Sequence, residues 1–390
     1  MFFVYLCVRK EISYMENPFV FGSATSGEWF TDREADTKRL SANLTHGINT
    51  ILISPRRWGK TSLVHKVGEN IRSASIKVVN IDVFSCRNAE DFYTLFATEI
   101  IKQTASKWEE WAENAKQFLS GLVPKISFGI DPMTDFTLSF DFSNPQRNED
   151  VLNLPEKIAT EKGVQIIVCL DEFQQIAEFD NSLYFQRKLR SAWQLHQKAT
   201  YCLYGSKQHL MTKLFSKQSM PFYKFGDVMY LQKIATSDWV EFILHRFEVT
   251  EKQISPELAE KVCLTVENHS SYVQQLAWLL WVQTDEIATE SDFDAAFTDL
   301  LNQNSMLYFK YTDGLTAYQL NFLHAIADGV TSEFTKRENL ERYQLGTSAN
   351  IRRLKTALEN KELIDISGKA VSFNDPVFKL WFKKNVRRFP

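Results

Sequence analysis

The sequence predicts an α/β fold, a parallel sheet covered by helices on both faces, followed by a helical segment and a C-terminal winged helix-turn-helix. Three observations predict it. From about residue 49 to 235, short Val- and Ile-rich runs alternate with longer helical ones, the pattern of strands buried on both faces. From 237 to about 303 the periodicity is helical throughout. From 315 onward it changes to helix, helix, helix and then two short strands around Ser367-Gly368-Lys369.

In chain order, strands are expected at residues 50–53, 76–84, 164–170, 200–204 and 227–231. Helices are expected between them, among them 60–71 and 89–104. Residues 124–142, PKISFGIDPMTDFTLSFDF, alternate about a Pro/Asp turn and predict a β-hairpin inserted before the third strand. In the helical segment, Ser255-Pro256 and Ser291 are expected helix starts. In the last segment TSANIRRLKTALENK places Ile351, Leu354 and Leu358 on one face, with Arg352, Arg353 and Lys355 on or near the other. The expected division is an N-terminal segment over 1–40, a sheet-containing core over 41–235, a helical lid over 236–310 and the winged helix over 311–390. Met15 opens MENPFVFG and reads as a second start, so residues 1–14 are expected to be an extension or a loose arm.

At 390 residues, 44% hydrophobic and 24% charged, the chain has the composition of a globular protein with more than one domain. The net charge of −3 gives no overall affinity for polyanions. Five scattered cysteines without a C-x-x-C pair argue against structural zinc and suit a reducing cytosol. The expected location is cytoplasmic. No run approaches the roughly 18 apolar residues of a membrane span. The seven histidines form no ligand cluster and no G-x-S-x-G occurs. Protease, oxidoreductase and metalloenzyme chemistry therefore find no support.

The chemistry is carried by ILISPRRWGKTSLV, residues 51–64. It follows the phosphate-loop pattern G-x-x-x-x-G-K-[ST], except that Ser54 stands at the first glycine. A tight loop before a helix turns backbone N–H groups and the positive end of the helix dipole toward a polyphosphate. Residues Ser54, Pro55, Arg56, Arg57, Trp58, Gly59, Lys60, Thr61 and Ser62 are thus expected to hold the nucleotide. Lys60 is expected to reach the β- and γ-phosphates and the Thr61 hydroxyl to ligate Mg²⁺. Gly59 allows close backbone approach to a phosphate. Ser54 is compatible with the loop provided its φ stays negative.

A second motif, VQIIVCLDEFQQI at 164–176, ends a buried strand in an acidic pair. Asp171 is expected to help hold Mg²⁺, and Glu172 to act on the attacking water as general base. Ser206, at the carboxyl end of the next strand, is expected to sense the γ-phosphate or to orient that water, or else to cap the following helix. Asp82 and Ser85 end the second strand on the same side, as outer groups of the site or as caps.

Together these residues resemble the archaeal-type ATPases of the AAA+/STAND branch of P-loop proteins. The resemblance rests on NPFVFG with WFTDRE (17–34), ILISPRRWGKTSL (51–63), IIVCLDEFQQI (166–176), LYGSKQHLM (203–211), NHSSYVQQLAW (268–278) and SFNDPVFKLWF (372–382). It implies an αβα P-loop NTPase core, a helical lid, a C-terminal winged helix, and ATP with Mg²⁺ as ligands. It also implies an adenine pocket, with Phe21, Phe30 and Arg33 on one side and Tyr272 on the other. The chain departs from the family at Ser54, at Ser270 where proline is common, and at FYKFGD (222–227), which lacks the family's Gly-Arg pair. Arg187 and Arg190 are the nearest alternatives for an arginine finger.

Residues 331–390 carry 13 Lys and Arg against 7 Asp and Glu, a net of +6 that leaves −9 for the remainder. A basic helix displaying Arg352, Arg353 and Lys355 can contact double-stranded DNA, with Lys369 and the terminal KKNVRR run. The same surface can also serve a protein partner or self-association. Three functions follow: a slow Mg²⁺-dependent ATPase acting as a regulatory switch, a DNA-binding initiator or loader, and a nucleotide-binding scaffold without turnover.

Overall fold

The computed structural model describes residues 17–23, 33–105, 108–118, 125–127, 137–139 and 147–387. It divides into two compact units, Ala24–Lys233 and Ile234–Pro390 together with the segment up to Ser23.

The first unit is built on five strands: β1 (Thr50–Ile53), β2 (Ile76–Asp82), and, after the hairpin strands β3 (Lys125–Ser127) and β4 (Thr137–Ser139), β5 (Gln165–Asp171), β6 (Ala199–Gly205) and β7 (Asp227–Tyr230). The sheet order is β2-β5-β6-β1-β7, and every pairing is parallel. β1 and β6 are buried along their whole length, and β5 everywhere but its ends. That explains why they read as continuous apolar runs instead of alternating ones. One face is packed by Phe92, Phe96, Phe173 and Trp193, the other by Leu40, Leu63, Val64 and Val67. In register, Ile53 pairs with Gly205 and Leu170 with Leu203. The carboxyl ends of β1, β6 and β5 therefore lie side by side, the place where open α/β sheets bind ligands.

Strand ends differ from expectation by a residue or two, and β2 stops at Asp82 for a visible reason. The Asp82 carboxylate accepts the Phe84 N–H at 2.9 Å and starts a short 3-10 turn, Val83–Ser85. Asp82 is thus a cap. The helix Ala89–Thr104 begins on Asn88, whose side chain accepts the Asp91 N–H at 2.8 Å. The inserted hairpin is present as the antiparallel pair β3 and β4.

In the second unit, the helices Thr236–Glu248, Pro256–Thr265, Ser270–Gln283 and Glu290–Asp313 precede the helices Ala317–Ala327, Arg337–Arg342 and Ser348–Asn360. The wing follows as β8 (Ile364–Ser367) and β9 (Ala370–Phe373), then the helix Pro376–Asn385. Ser255 caps its helix as expected, but the long helix starts on a Thr289–Asp292 capping box and not at Ser291. The boundary expected between 310 and 311 falls inside Glu290–Asp313. One hydrophobic cluster runs from Trp239 through Leu276 and Leu300 to Trp381.

Within this unit the Asp375 carboxylate ties several elements together. One oxygen caps Pro376–Asn385 by accepting the Val377 and Phe378 N–H groups at 2.8 and 2.9 Å. The other accepts the Tyr272 and Tyr308 hydroxyls at 2.6 and 3.0 Å. The segment 17–23 also belongs here: Phe19 is fully buried against Phe242 and Phe247, and the Val20 N–H donates to Gln274 Oε1 at 3.0 Å. The expected N-terminal segment 1–40 is therefore split, since the helix Glu34–Thr45 packs in the first unit. Residues 1–14 lie outside the described residues.

Cys86, Cys169, Cys202 and Cys263 are buried and free, while Cys7 lies outside the described residues. Among the described residues, no helix is long and apolar enough to cross a membrane.

Candidate nucleotide site

The loop after β1 opens the helix Lys60–Ile71 through Gly59, whose φ of 89° lies in the left-handed region that favours glycine. Ser54 is fully buried and is not among the positive-φ residues. The condition for serine at the first glycine position is therefore met. Its hydroxyl donates to the Pro55 carbonyl at 3.1 Å. Lys60 is 5% exposed, and its ammonium donates to the Ser54 and Pro55 carbonyls at 3.2 and 3.1 Å. Burial pulls the Lys60 pKa down to about 8, against the opposing pull of Glu172 and Asp171.

β5 delivers the acidic pair. Asp171 Oδ2 accepts the Thr61 hydroxyl at 2.8 Å, and Oδ1 accepts the Glu172 N–H at 2.7 Å. Burial raises the Asp171 carboxyl to about 6, the two hydrogen bonds only partly opposing it. Glu172 sits at φ 49°, a left-handed conformation that costs a non-glycine residue about 1 kcal/mol. Its Oε2 accepts the Ser206 hydroxyl at 3.0 Å and a short hydrogen bond from Gln174 Nε2. Ser206 in turn accepts from Arg56 Nε at 3.3 Å. A chain of contacts thus links the loop (Arg56), the end of β6 (Ser206) and the end of β5 (Glu172). Ser206 does not cap the next helix, whose N-cap is Lys207 and has no side-chain cap.

Around this centre, Arg57 is exposed at φ 62° and Trp58 and Ser62 occupy the loop and the first helical turn. Arg190 is not an open finger, because its guanidinium lies 4.9 Å from the Phe225 ring, whereas Arg187 is exposed. Arg33 is buried and donates to the Trp58 carbonyl at 2.8 Å. Tyr272 is 2% exposed with its hydroxyl on Asp375. Phe21 is partly exposed, and Phe30 lies outside the described residues.

Gln174 is the residue that sequence reasoning missed. Its signal was Gly205: a Cβ there would stand 1.8 Å from Gln174 Oε1, so the glycine at the end of β6 makes room for the amide that holds Glu172. In the second unit, Arg352 and Arg353 are exposed on the helix Ser348–Asn360. Lys355 departs from expectation. It is partly buried with its ammonium 5.1 Å from the Phe334 ring, and burial lowers its pKa.

A family model described as a probable winged helix domain matches residues 306–384. No curated protein matches the chain in sequence. Among solved structures, the Walker-type ATPase paby2304 of Pyrococcus abyssi superposes with a TM-score of 0.67 at 18% identity, covering 94% of this chain and 99% of that one. The ORC2 protein of Aeropyrum pernix, solved in ADPNP–ADP complexes, superposes with a TM-score of 0.55 at 14% identity, covering 90% of this chain and 93% of that one. The chain has the fold of these archaeal Walker-type P-loop ATPases, completed by a winged helix domain towards its C-terminus.

Proposed function

We propose that the protein binds ATP and hydrolyses it slowly with Mg²⁺, as a regulatory conformational switch. The observation that carries this reading is the meeting of the loop and the acidic pair, with Thr61 Oγ1 2.8 Å from Asp171 Oδ2. Two hard oxygen donors side by side suit Mg²⁺, which takes few protein ligands and completes its shell with water and phosphate oxygens. Among the described residues no group of three or more His, Cys, Asp or Glu could hold a metal by itself. Mg²⁺ when bound supplies charge neutralisation at the phosphates. Thr61 and Asp171 would hold it, and Lys60 places a buried cation beside the loop. Glu172, kept in place by Ser206 and Gln174, accepts the proton of the attacking water. Asp375, shared by Tyr272, Tyr308 and the last helix, supports a lid and winged helix that respond as one body.

Purified protein should turn over ATP slowly in the presence of Mg²⁺, and Lys60→Ala should abolish it. ATP retained without any turnover in the parent protein would leave the scaffold reading instead.

A second reading, a DNA-binding initiator or loader, is favoured by the exposed basic face of the winged helix. Arg352, Arg353, Lys369, Lys383 and Lys384 are all exposed. Duplex DNA should then bind with an affinity that falls steeply with salt, and the double charge reversal Arg352→Glu with Arg353→Glu should remove it. Turnover raised by DNA supports this reading. Turnover indifferent to DNA, with no DNA binding, points to a protein partner or self-association.

A further inference from the structure

We propose that Arg33 is a positioning residue of the phosphate loop: its buried guanidinium fixes the plane of the Trp58–Gly59 peptide so that the Gly59 N–H faces the phosphate chain, and it makes no contact with the base. The inference rests on the nucleotide reading above. Arg33 immediately precedes the helix Glu34–Thr45, and its side chain is 4% exposed. The guanidinium donates to the Trp58 carbonyl at 2.8 Å and to the Gln232 carbonyl at 3.0 Å, with the Asp36 carboxylate at 3.2 Å. A planar fork with fixed donor directions can span two main-chain oxygens in a way a lysine cannot. A buried cation without such acceptors is costly, so the loop and the chain after β7 are held together through it.

The geometry of the peptide carries the argument further. In a trans peptide the C=O and N–H point in opposite directions. With the Trp58 carbonyl turned onto Arg33, the Gly59 N–H is turned away from it. The Gly59 carbonyl, at φ 89°, is already committed to the helix, accepting the Leu63 N–H at 2.9 Å. Arg33 Nε lies 4.0 Å from the position a Gly59 Cβ would take, so the guanidinium fills the space behind the glycine. Without it the Trp58–Gly59 peptide is free to flip. A flipped peptide presents a carbonyl oxygen, in place of a donor, to an anionic ligand.

The test uses the full chain with Mg²⁺ and compares the parent, Arg33→Ala and Arg33→Lys for binding of ATP, GTP and inorganic tripolyphosphate, beside their thermal midpoints. Arg33→Ala is expected to weaken ATP and tripolyphosphate by the same factor, on the order of tenfold or more, with the ATP-to-GTP ratio unchanged. Arg33→Lys is expected to recover part of the loss for both, since its ammonium can serve one carbonyl. If Arg33→Ala does not fold, Arg33→Lys carries the comparison, with a smaller equal loss for both ligands. Unchanged tripolyphosphate binding with a reduced ATP-to-GTP ratio would overturn the proposal in favour of a base contact. A lowered midpoint with unchanged ligand binding would overturn it in favour of a purely structural role. A parent protein that binds neither ATP nor tripolyphosphate would overturn the nucleotide reading itself, and this role with it.

Discussion

Glu172→Gln should bind ATP within a few-fold of the parent protein and turn it over on the order of 10²–10⁴-fold more slowly. The substitution keeps the shape of the site. The amide oxygen can take the place of Oε2 and still accept from the Ser206 hydroxyl and from Gln174 Nε2. What is lost is the ability to take a proton from water. Binding should survive because the direct partners of Lys60 and of Thr61 are the Ser54 and Pro55 carbonyls and Asp171, and the amide keeps the link through Ser206 to Arg56. Equilibrium binding of a fluorescent ATP analogue, followed by single-turnover hydrolysis, separates the two effects. Equal losses in both would mean that Glu172 acts in binding, and the assignment of a base would fall.

The second large effect is on stability and has an unusual sign. Asp171→Asn should stabilise the ligand-free protein at pH 8 by about 1–2 kcal/mol, the relieved desolvation less one lost hydrogen bond, although it removes a proposed metal ligand. Burial raises the Asp171 carboxyl to about 6. A carboxyl raised above its unfolded value contributes stability that is fully present below about pH 4 and is lost as pH rises through the folded value. At pH 8 the charge is therefore held against desolvation, and the neutral amide relieves that cost, although its single oxygen replaces only one of the two acceptors now used by the Thr61 hydroxyl and the Glu172 N–H. Lys60, lowered to about 8, adds a cost of its own at neutral pH that fades as pH climbs from about 8 towards its unfolded value. Urea denaturation of the parent and Asp171→Asn at pH 5 and pH 8, without nucleotide, checks the sign. Equal stability at pH 8 would mean that the carboxylate is well solvated. Adding Mg²⁺ and ATP should stabilise the parent more than the variant, since only the parent keeps both protein oxygens for the ion.

How much of this the sequence disclosed depended on how local each feature is. Thr50–Ile53, Lys60–Ile71 and Ala89–Thr104 have the predicted limits, because a continuous apolar run, a left-handed glycine and an Asn88 cap are signals within a few residues. Motif order alone predicted that Lys60 and Thr61 meet Asp171 and Glu172, and the structure brings the Thr61 hydroxyl onto Asp171. The sheet order was not legible, since strand adjacency is decided by packing across more than a hundred residues. The placement of β6 between β1 and β5 is what brings Ser206 between Arg56 and Glu172.

The direction of the Arg33 side chain was hidden for a related reason. A polar box before the core gives no sign of which way its arginine turns, and this one turns inward, behind Gly59. Lys355 shows the limit of the helical wheel. Periodicity put it near the open face, but its long alkyl stem reaches Phe334 and the ammonium follows.

The carboxylate of Asp375 bears on how this chain can be cut and recombined. A winged helix invites excision or grafting, as if it were a bead on a string. Here a chain ending before the wing would remove the acceptor that the Tyr272 and Tyr308 hydroxyls share, leaving them 3.2 Å from each other, and would uncover the Tyr308 ring where it packs on Phe378 and Trp381. A foreign winged helix grafted onto the lid would have to bring an acidic helix cap to the same spot. Within this chain the two segments are matched through one carboxylate, so a change in one constrains which sequences the other can accept.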